Sequence, residues 1–141
     1  MRVATGVYVP NELLSRLVGS RMYSIEFVLN DYVQLRFDGV PGVSDHATLN
    51  CYVWPIVQMA DRPWHEPDIG YADALRRLTP GAVTSTSEAT GTGIVIELNT
   101  GAVVIHPALD EVHVEIAELM GFDDNAWMVW RPGEESFEDL R

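Results

Sequence analysis

One strictly alternating stretch, residues 32–39 (YVQLRFDG), constrains this chain most, because it recurs sixty-one positions later as residues 93–100 (GIVIELNT). Alternation of apolar and polar residues predicts a half-buried β-strand with Val33, Leu35 and Phe37 on its buried face. At this offset the apolar positions keep their phase in the pairs Leu14 and Leu75, Leu17 and Leu78, Met22 and Val83, Val33 and Ile94, Leu35 and Ile96, and Phe37 and Leu98. The sequence therefore predicts two copies of one small unit.

Each predicted copy is a short helix followed by three strands, with copy one at residues 11–55 and copy two at residues 72–107. Asn11 is expected to cap the first helix, and Pro80-Gly81 to end the second. Residues 53–55 (VWP) match residues 105–107 (IHP), which makes His106 the counterpart of Trp54. Because neither copy can bury its apolar face alone, the two are expected to share one core.

The predicted fold class is α+β, in which two helix-β-β-β repeats form a mainly antiparallel sheet with short helices packed on it. Residues 108–141 form a C-terminal extension with a last strand at residues 127–131 and an acidic tail, all within a single domain of residues 1–141. Residues 111–120 fit both a strand and a helical face, and a strand that turns helical near its end is favoured. Residues 83–88 (VTSTSE) lack large apolar side chains, which is typical of an edge strand.

Composition indicates one globular domain, since 47% of the 141 residues are hydrophobic and 21% are charged. The longest apolar runs are far shorter than the roughly 20 residues that a membrane helix needs. Residues 1–8 show no apolar region followed by a cleavage site, so no secretory signal is expected. The single cysteine, Cys51, cannot form an internal disulfide. These features predict a cytoplasmic protein.

The chain is strongly acidic, with 21 Asp and Glu residues against 9 Lys and Arg residues and a formal net charge of −12. Such a surface repels phosphate backbones and anionic lipids, which argues against nucleic-acid and membrane partners. A basic protein is the partner that this charge favours. The alternative is that the acidity serves solubility alone.

Residues 59–70, which contain two prolines, are predicted to be a connecting loop. Functional groups are densest within it, in residues 61–68 (DRPWHEPD), but their spacing matches no metal-ligand pair, so no metal is expected. No serine, histidine and acid arrangement has the context of a nucleophile, and no glycine-rich phosphate loop is present. We therefore expect no cofactor and assign no catalytic residue. His106 is expected to be a partly buried structural histidine rather than a base, and Cys51 a buried, inert thiol.

The aromatic residues suggest where a partner would bind, because Trp and Tyr are common anchors of interfaces. They either line a groove between the copies or complete a small core. With the polar residues near them they define a candidate binding surface, which consists of Trp54, Trp64, His65, Glu66, Tyr71 and His106.

In size, acidity and α+β build the chain resembles the broad class of small bacterial immunity and adaptor proteins, although no motif carries this resemblance. The leading functional hypothesis is a non-enzymatic module that binds a basic protein. The alternative is a small-molecule-binding or hydrolytic domain with its pocket between the two repeats. A homodimer that pairs exposed strands is a third possibility.

Overall fold

A computed structural model describes residues 8–29 and 31–140. The prediction about a secretory signal depends on residues outside this range. The described part contains ten strands, one α-helix and three 3₁₀ turns. The strands are β1 (Arg21–Val28), β2 (Tyr32–Asp38), β3 (Ala47–Cys51), β4 (Ile56–Gln58), β5 (Pro63–Trp64), β6 (Gly81–Ala89), β7 (Gly93–Leu98), β8 (Gly101–Ile105), β9 (Ala117–Met120) and β10 (Met128–Trp130). The helix is α1 (Tyr71–Arg77), and the 3₁₀ turns span Leu14–Leu17, Leu109–Glu111 and Glu135–Phe137.

The strands form one sheet in the order β10-β9-β3-β2-β1-β6-β7-β8-β4-β5. Every neighbouring pair is antiparallel, which confirms the predicted mainly antiparallel sheet. Outward from the central pair β1 and β6, the order is β2, β3, β9, β10 on one side and β7, β8, β4, β5 on the other. Each half of the sheet is therefore completed by two strands from the other half of the chain.

The hairpins β1–β2 and β6–β7 have corresponding registers. Met22 pairs with Phe37 and Phe27 with Val33 in the first hairpin. At the offset of sixty-one, Val83 pairs with Leu98 and Glu88 with Ile94 in the second. The register also shifts at corresponding places, between Met22 and Ser24 and between Val83 and Ser85.

The predicted match of the third strands is wrong by two residues. The strand β3 ends at Cys51 rather than Trp54, and Cys51 pairs with Val33 as Ile105 pairs with Ile94. His106 therefore corresponds to Tyr52, not to Trp54. A slip of two residues leaves the alternating pattern unchanged, so the pattern alone does not detect it.

The predicted helix-β-β-β repeats are matched only in part, because the fold is richer in sheet. The first predicted helix is the single 3₁₀ turn Leu14–Leu17. Asn11 does not cap it; Asn11 has a left-handed backbone (φ 68°), and its side chain bonds to Thr86 across the molecule. The second predicted helix is confirmed as α1.

Several short elements differ from the prediction. The strands β4 and β5 lie in or beside the segment predicted as a connecting loop. The predicted helical end of residues 111–120 is wrong, because residues 117–120 are strand β9, which pairs with β3 and β10. The strand β6 is not at an edge but lies between β1 and β7. Its ladder with β1 is brief, with Arg21 opposite Ala82 and Met22 opposite Gly81.

One cluster of buried side chains joins both halves, as the shared-core prediction requires. The inward faces of β2 and β7 are fully buried, and the leucines of Leu14–Leu17 and of α1 pack against the same cluster. In residues 8–29 and 31–140 no helix is long and apolar enough to cross a membrane.

Candidate functional site

A small cavity lies where the two connections that cross between the halves meet, residues 52–55 from β3 to β4 and residues 106–116 from β8 to β9. We call it the Trp54 cavity; its volume is about 100 Å³, and its lining includes Trp54, His65, Glu66 and His106. Four of the six predicted surface residues are therefore brought together. The sheet order causes this, because β4 pairs with β8 and so sets the two connections side by side.

A larger, open groove of about 520 Å³ adjoins the cavity and shares Trp54, Glu66 and Glu111 with it. We call it the Leu29 groove; its other lining residues include Leu29, Asp31 and Tyr52. Asp31 and Glu66 make no side-chain hydrogen bond or ion pair with any residue that the structure describes. The groove thus combines aromatic and apolar walls with carboxylates that are available to a cation.

Trp54 is held between two aromatic neighbours. Its ring lies 5.6 Å from that of Phe27 and is stacked 6.0 Å from that of Tyr71. Tyr71 is buried, and its hydroxyl donates a hydrogen bond to the carbonyl oxygen of Pro55. Burial, followed by the nearby Cys51 and Glu66, raises the pKa of Tyr71. Tyr71 therefore positions Trp54 and does not itself line the cavity.

Trp64 lies away from the cavity. The Arg62 guanidinium sits 3.9 Å from the centre of its ring and that of Arg77 sits 5.9 Å away. His65 lines the cavity and Trp64 does not, as expected where consecutive residues at the end of a strand point in opposite directions. The sequence prediction grouped them because it used proximity along the chain.

Asp68 orders the turn that carries His65. Its carboxylate accepts the backbone N–H of His65 at 2.9 Å and an Arg62 N–H at 2.9 Å. The backbone hydrogen bond first, and then the charge of Arg62, lower the pKa of Asp68 against the opposing effect of desolvation. This turn is consequently a structured element of the site.

His106 has an acidic partner that the sequence pattern did not identify. Its Nε2 lies 3.4 Å from the Asp139 carboxylate, in the C-terminal segment of residues 134–140. The same segment places the Ser136 hydroxyl 2.6 Å from Glu88 and Glu138 3.4 Å from Thr90. As predicted, His106 is partly buried.

The sequence prediction also missed a buried polar cluster at Glu88. The Glu88 carboxylate accepts the backbone N–H of Asn11 (2.9 Å), the indole N–H of Trp130 (2.9 Å) and the hydroxyl of Ser136 (2.6 Å). One signal was available, since Glu88 occupies the strand position that corresponds to the apolar Phe27. A carboxylate on a core-facing position calls for buried donors.

Near the site, the described residues present no metal-ligand cluster, and the Cys51 thiol is unreactive. Among the residues described, no group of three or more His, Cys, Asp or Glu side chains is placed to hold a metal ion. Burial raises the pKa of the Cys51 thiol, which keeps it in its unreactive protonated form. Burial, and then the hydrogen bond to Glu118, raise the pKa of Tyr52 to about 12.

Comparisons with models of protein families, with curated proteins and with solved structures find no match to this chain.

Proposed function

We propose that this protein is a non-enzymatic module that binds a basic protein, in the manner of an immunity or adaptor protein. The observation that carries the proposal is the Leu29 groove, whose lining combines Asp31, Glu66 and Glu111 with the half-buried Trp54. Aromatic anchors with a polar rim are the usual composition of a protein interface. The formal net charge of −12 supports a basic partner, because it steers such a partner toward the surface.

Capture experiments at two ionic strengths test this function. The immobilised protein is exposed to an extract of its own cells at about 50 mM and about 300 mM salt, since surface charges are screened more strongly at the higher concentration. Each captured protein is then purified, and its Kd is measured directly. We expect a partner with a basic binding face and a Kd that rises with salt. A purified partner whose Kd is the same at both salt concentrations, or the absence of any purified partner that binds, contradicts the proposal.

A matched pair of variants separates the groove from overall charge. Asp31→Asn combined with Glu66→Gln removes two groove carboxylates, whereas Glu12→Gln combined with Asp61→Asn removes two exposed carboxylates elsewhere. Both variants change the net charge equally. Weaker binding in the first variant alone supports the groove as the contact surface, and equal weakening in both supports only a general effect of charge.

The Trp54 cavity favours a second candidate function, a small-molecule-binding or hydrolytic site between the two halves. His65, Glu66 and His106 line it, and Asp139 contacts His106. However, its volume of about 100 Å³ is below the roughly 300 Å³ at which ordinary ligand pockets begin. A thermal-shift screen with small metabolites tests this candidate, because a ligand of the native state raises Tm. No shift across small acids, amines and esters would argue against it.

A homodimer that pairs exposed strands has less support. The strands at the two ends of the sheet, β5 and β10, have two and three residues. Such short edges offer few unpaired backbone groups to a second copy.

We further propose that the chain is an internal duplication. The mirrored strand order, the corresponding hairpin registers and the pairing of Arg21 with Ala82, which are sixty-one residues apart, support it. In this proposal each unit has a helical segment and five strands, so the second unit includes β9 and β10 rather than ending at residue 107. A cytoplasmic location is also proposed, and the single buried Cys51 supports it.

A further inference from the structure

The C-terminal segment of residues 134–140 covers only one of two corresponding surfaces. It contacts Glu88, Thr90 and His106 through Ser136, Glu138 and Asp139. Phe137 in this segment is fully buried. The segment is thus a short turn that buries one aromatic side chain and makes polar contacts around it.

The residues that correspond to this covered surface lie on the first half of the sheet. The ladders match Glu88 to Phe27, and one residue beyond the strand ends they match Thr90 to Leu29 and His106 to Tyr52. The ladders of β5 and β10 match Trp64 to Met128, and counting on by two residues into the turn after β5 matches Glu66 to Trp130, which donates to Glu88. Leu29, Tyr52 and Glu66 line the Leu29 groove, and Phe27 contacts its Trp54 wall. The Leu29 groove is therefore the counterpart of the surface that the C-terminal segment covers. We call that surface the covered seat, and the groove the open seat.

No segment among the described residues covers the open seat. Leu29, which lines the groove, is 73% exposed. Ile69, which corresponds to Tyr8 beside Trp130, is 99% exposed. A large aliphatic side chain as exposed as Leu29, in a groove with aromatic walls, is typical of an interaction surface.

The charged side chains of the two seats differ, and this difference determines which kind of segment the open seat can bind. The covered seat presents His106 and receives a segment that contains Glu134, Glu135, Glu138 and Asp139. The open seat instead presents Asp31, Glu66 and Glu111, with His113 at its edge. An acidic segment, including the C-terminal segment of a second copy, is repelled there, whereas a basic segment is attracted.

We propose that the Leu29 groove docks a short basic segment of a partner protein, with a large apolar side chain against Leu29 and Trp54 and Lys or Arg side chains beside Glu66, Glu111 and Asp31. This inference rests on the proposed function and specifies its binding mode. In this binding mode the partner segment covers the Leu29 groove in the same way as residues 134–140 of this chain cover the corresponding surface on the other half of the sheet.

Fluorescence polarisation with labelled peptides tests the inference. The probes are a pool with a central Phe or Leu flanked by Lys and Arg, the same pool with Asp and Glu in the flanking positions, and a peptide that copies residues 132–141 of this chain. Leu29→Ser with Glu66→Gln alters the groove. Val18→Ser with Asp61→Asn is the matched control, because it removes an exposed apolar side chain and a carboxylate outside the groove. Circular dichroism verifies that both variants fold.

We expect the basic pool to bind the unmodified protein and the control, and to bind the groove variant at least about tenfold more weakly. Equal binding to both variants overturns the groove assignment but leaves a basic partner standing. Binding of the acidic pool or of the 132–141 peptide in place of the basic pool overturns the basic occupant. If no peptide binds at about 1 mM, the docking mode is overturned, because a Kd of about 1 mM corresponds to a binding free energy of only about 4 kcal/mol. The capture experiment decides the proposed function separately.

Discussion

Single residues in this protein differ in role even where their positions correspond. Phe27 and Glu88 occupy corresponding places in β1 and β6, yet Phe27 contacts Trp54 whereas Glu88 accepts three hydrogen bonds. A buried carboxylate is stable only when donors surround it. Glu88 therefore ties together three distant parts of the chain, at Asn11, Trp130 and Ser136.

Replacement of Glu88 tests this role. Glu88→Ala leaves the donors of Asn11, Trp130 and Ser136 without their acceptor, so we expect the free energy of unfolding to fall by about 3 kcal/mol. Glu88→Gln keeps one carbonyl acceptor and should have a smaller effect. Urea unfolding followed by circular dichroism provides the measurement.

The neighbouring exposed residue provides the control for that experiment. Ser87→Ala should change the free energy of unfolding by no more than about 0.5 kcal/mol. A loss at Glu88 as small as that at Ser87 would show that the three hydrogen bonds contribute little to stability.

At the level of elements, a glycine allows the start of β7 to lie close to the end of β8. Gly93 has φ +73°, and a Cβ there would overlap the carbonyl oxygen of Ile105. Gly91, in the preceding turn, has φ +87° but has no atom within 4 Å of an added Cβ. Gly91 and Gly93 therefore share a backbone conformation that is unfavourable for residues with a side chain, but differ in the space available for an added Cβ.

This contrast predicts unequal effects of the same substitution. Gly91→Ala should lower the free energy of unfolding by about 1 kcal/mol through backbone strain alone. Gly93→Ala should lower it by about 3 kcal/mol or more, because strand pairing must also shift. Thermal and urea unfolding of both variants measure the difference, and equal losses would show that the close approach is relieved at little cost.

The elements also show how far sequence patterns reach. The alternating segments at residues 32–39 and 93–100 predicted β2 and β7, because each has enough residues to display a period of two. The strands β4 and β5 were missed because two or three residues show no period, and the prolines beside them favoured a loop. In the candidate site, Trp54 and His106 were assigned to one predicted surface as matched positions of the two copies. Their meeting depends on the pairing of β4 with β8, which no local pattern specifies.

At the level of the whole molecule, the proposed duplication makes one junction equivalent to the natural chain ends. Ile69, the most exposed of the large apolar residues described, corresponds to Tyr8 near the N-terminus. Tyr8 in turn lies beside Trp130, with its hydroxyl 3.4 Å from the indole nitrogen, near the start of the C-terminal segment. The two halves should therefore tolerate a change in their order along the chain.

A circular permutant tests this equivalence. The chain is opened between Asp68 and Ile69, and its natural ends are joined by a flexible linker of about ten residues. We expect the same circular dichroism spectrum and a cooperative transition, with a loss of no more than about 2 kcal/mol.

A second permutant, opened between Val53 and Trp54, provides the contrast. There Val53 is buried and its N–H donates to Ile116, so an opening at this point should disrupt the crossing connection. If the first permutant is no more stable than the second, the junction is not equivalent to the natural ends.

The crossing connections also affect how the chain folds during synthesis. One edge of β3 pairs with β2 and the other with β9, while one edge of β4 pairs with β5 and the other with β8, so each strand has one of its two partners in residues 101–120. When a ribosome has made only the first half, these second partners do not yet exist. The half that is synthesised first must therefore keep open sheet edges until the half that is synthesised last emerges.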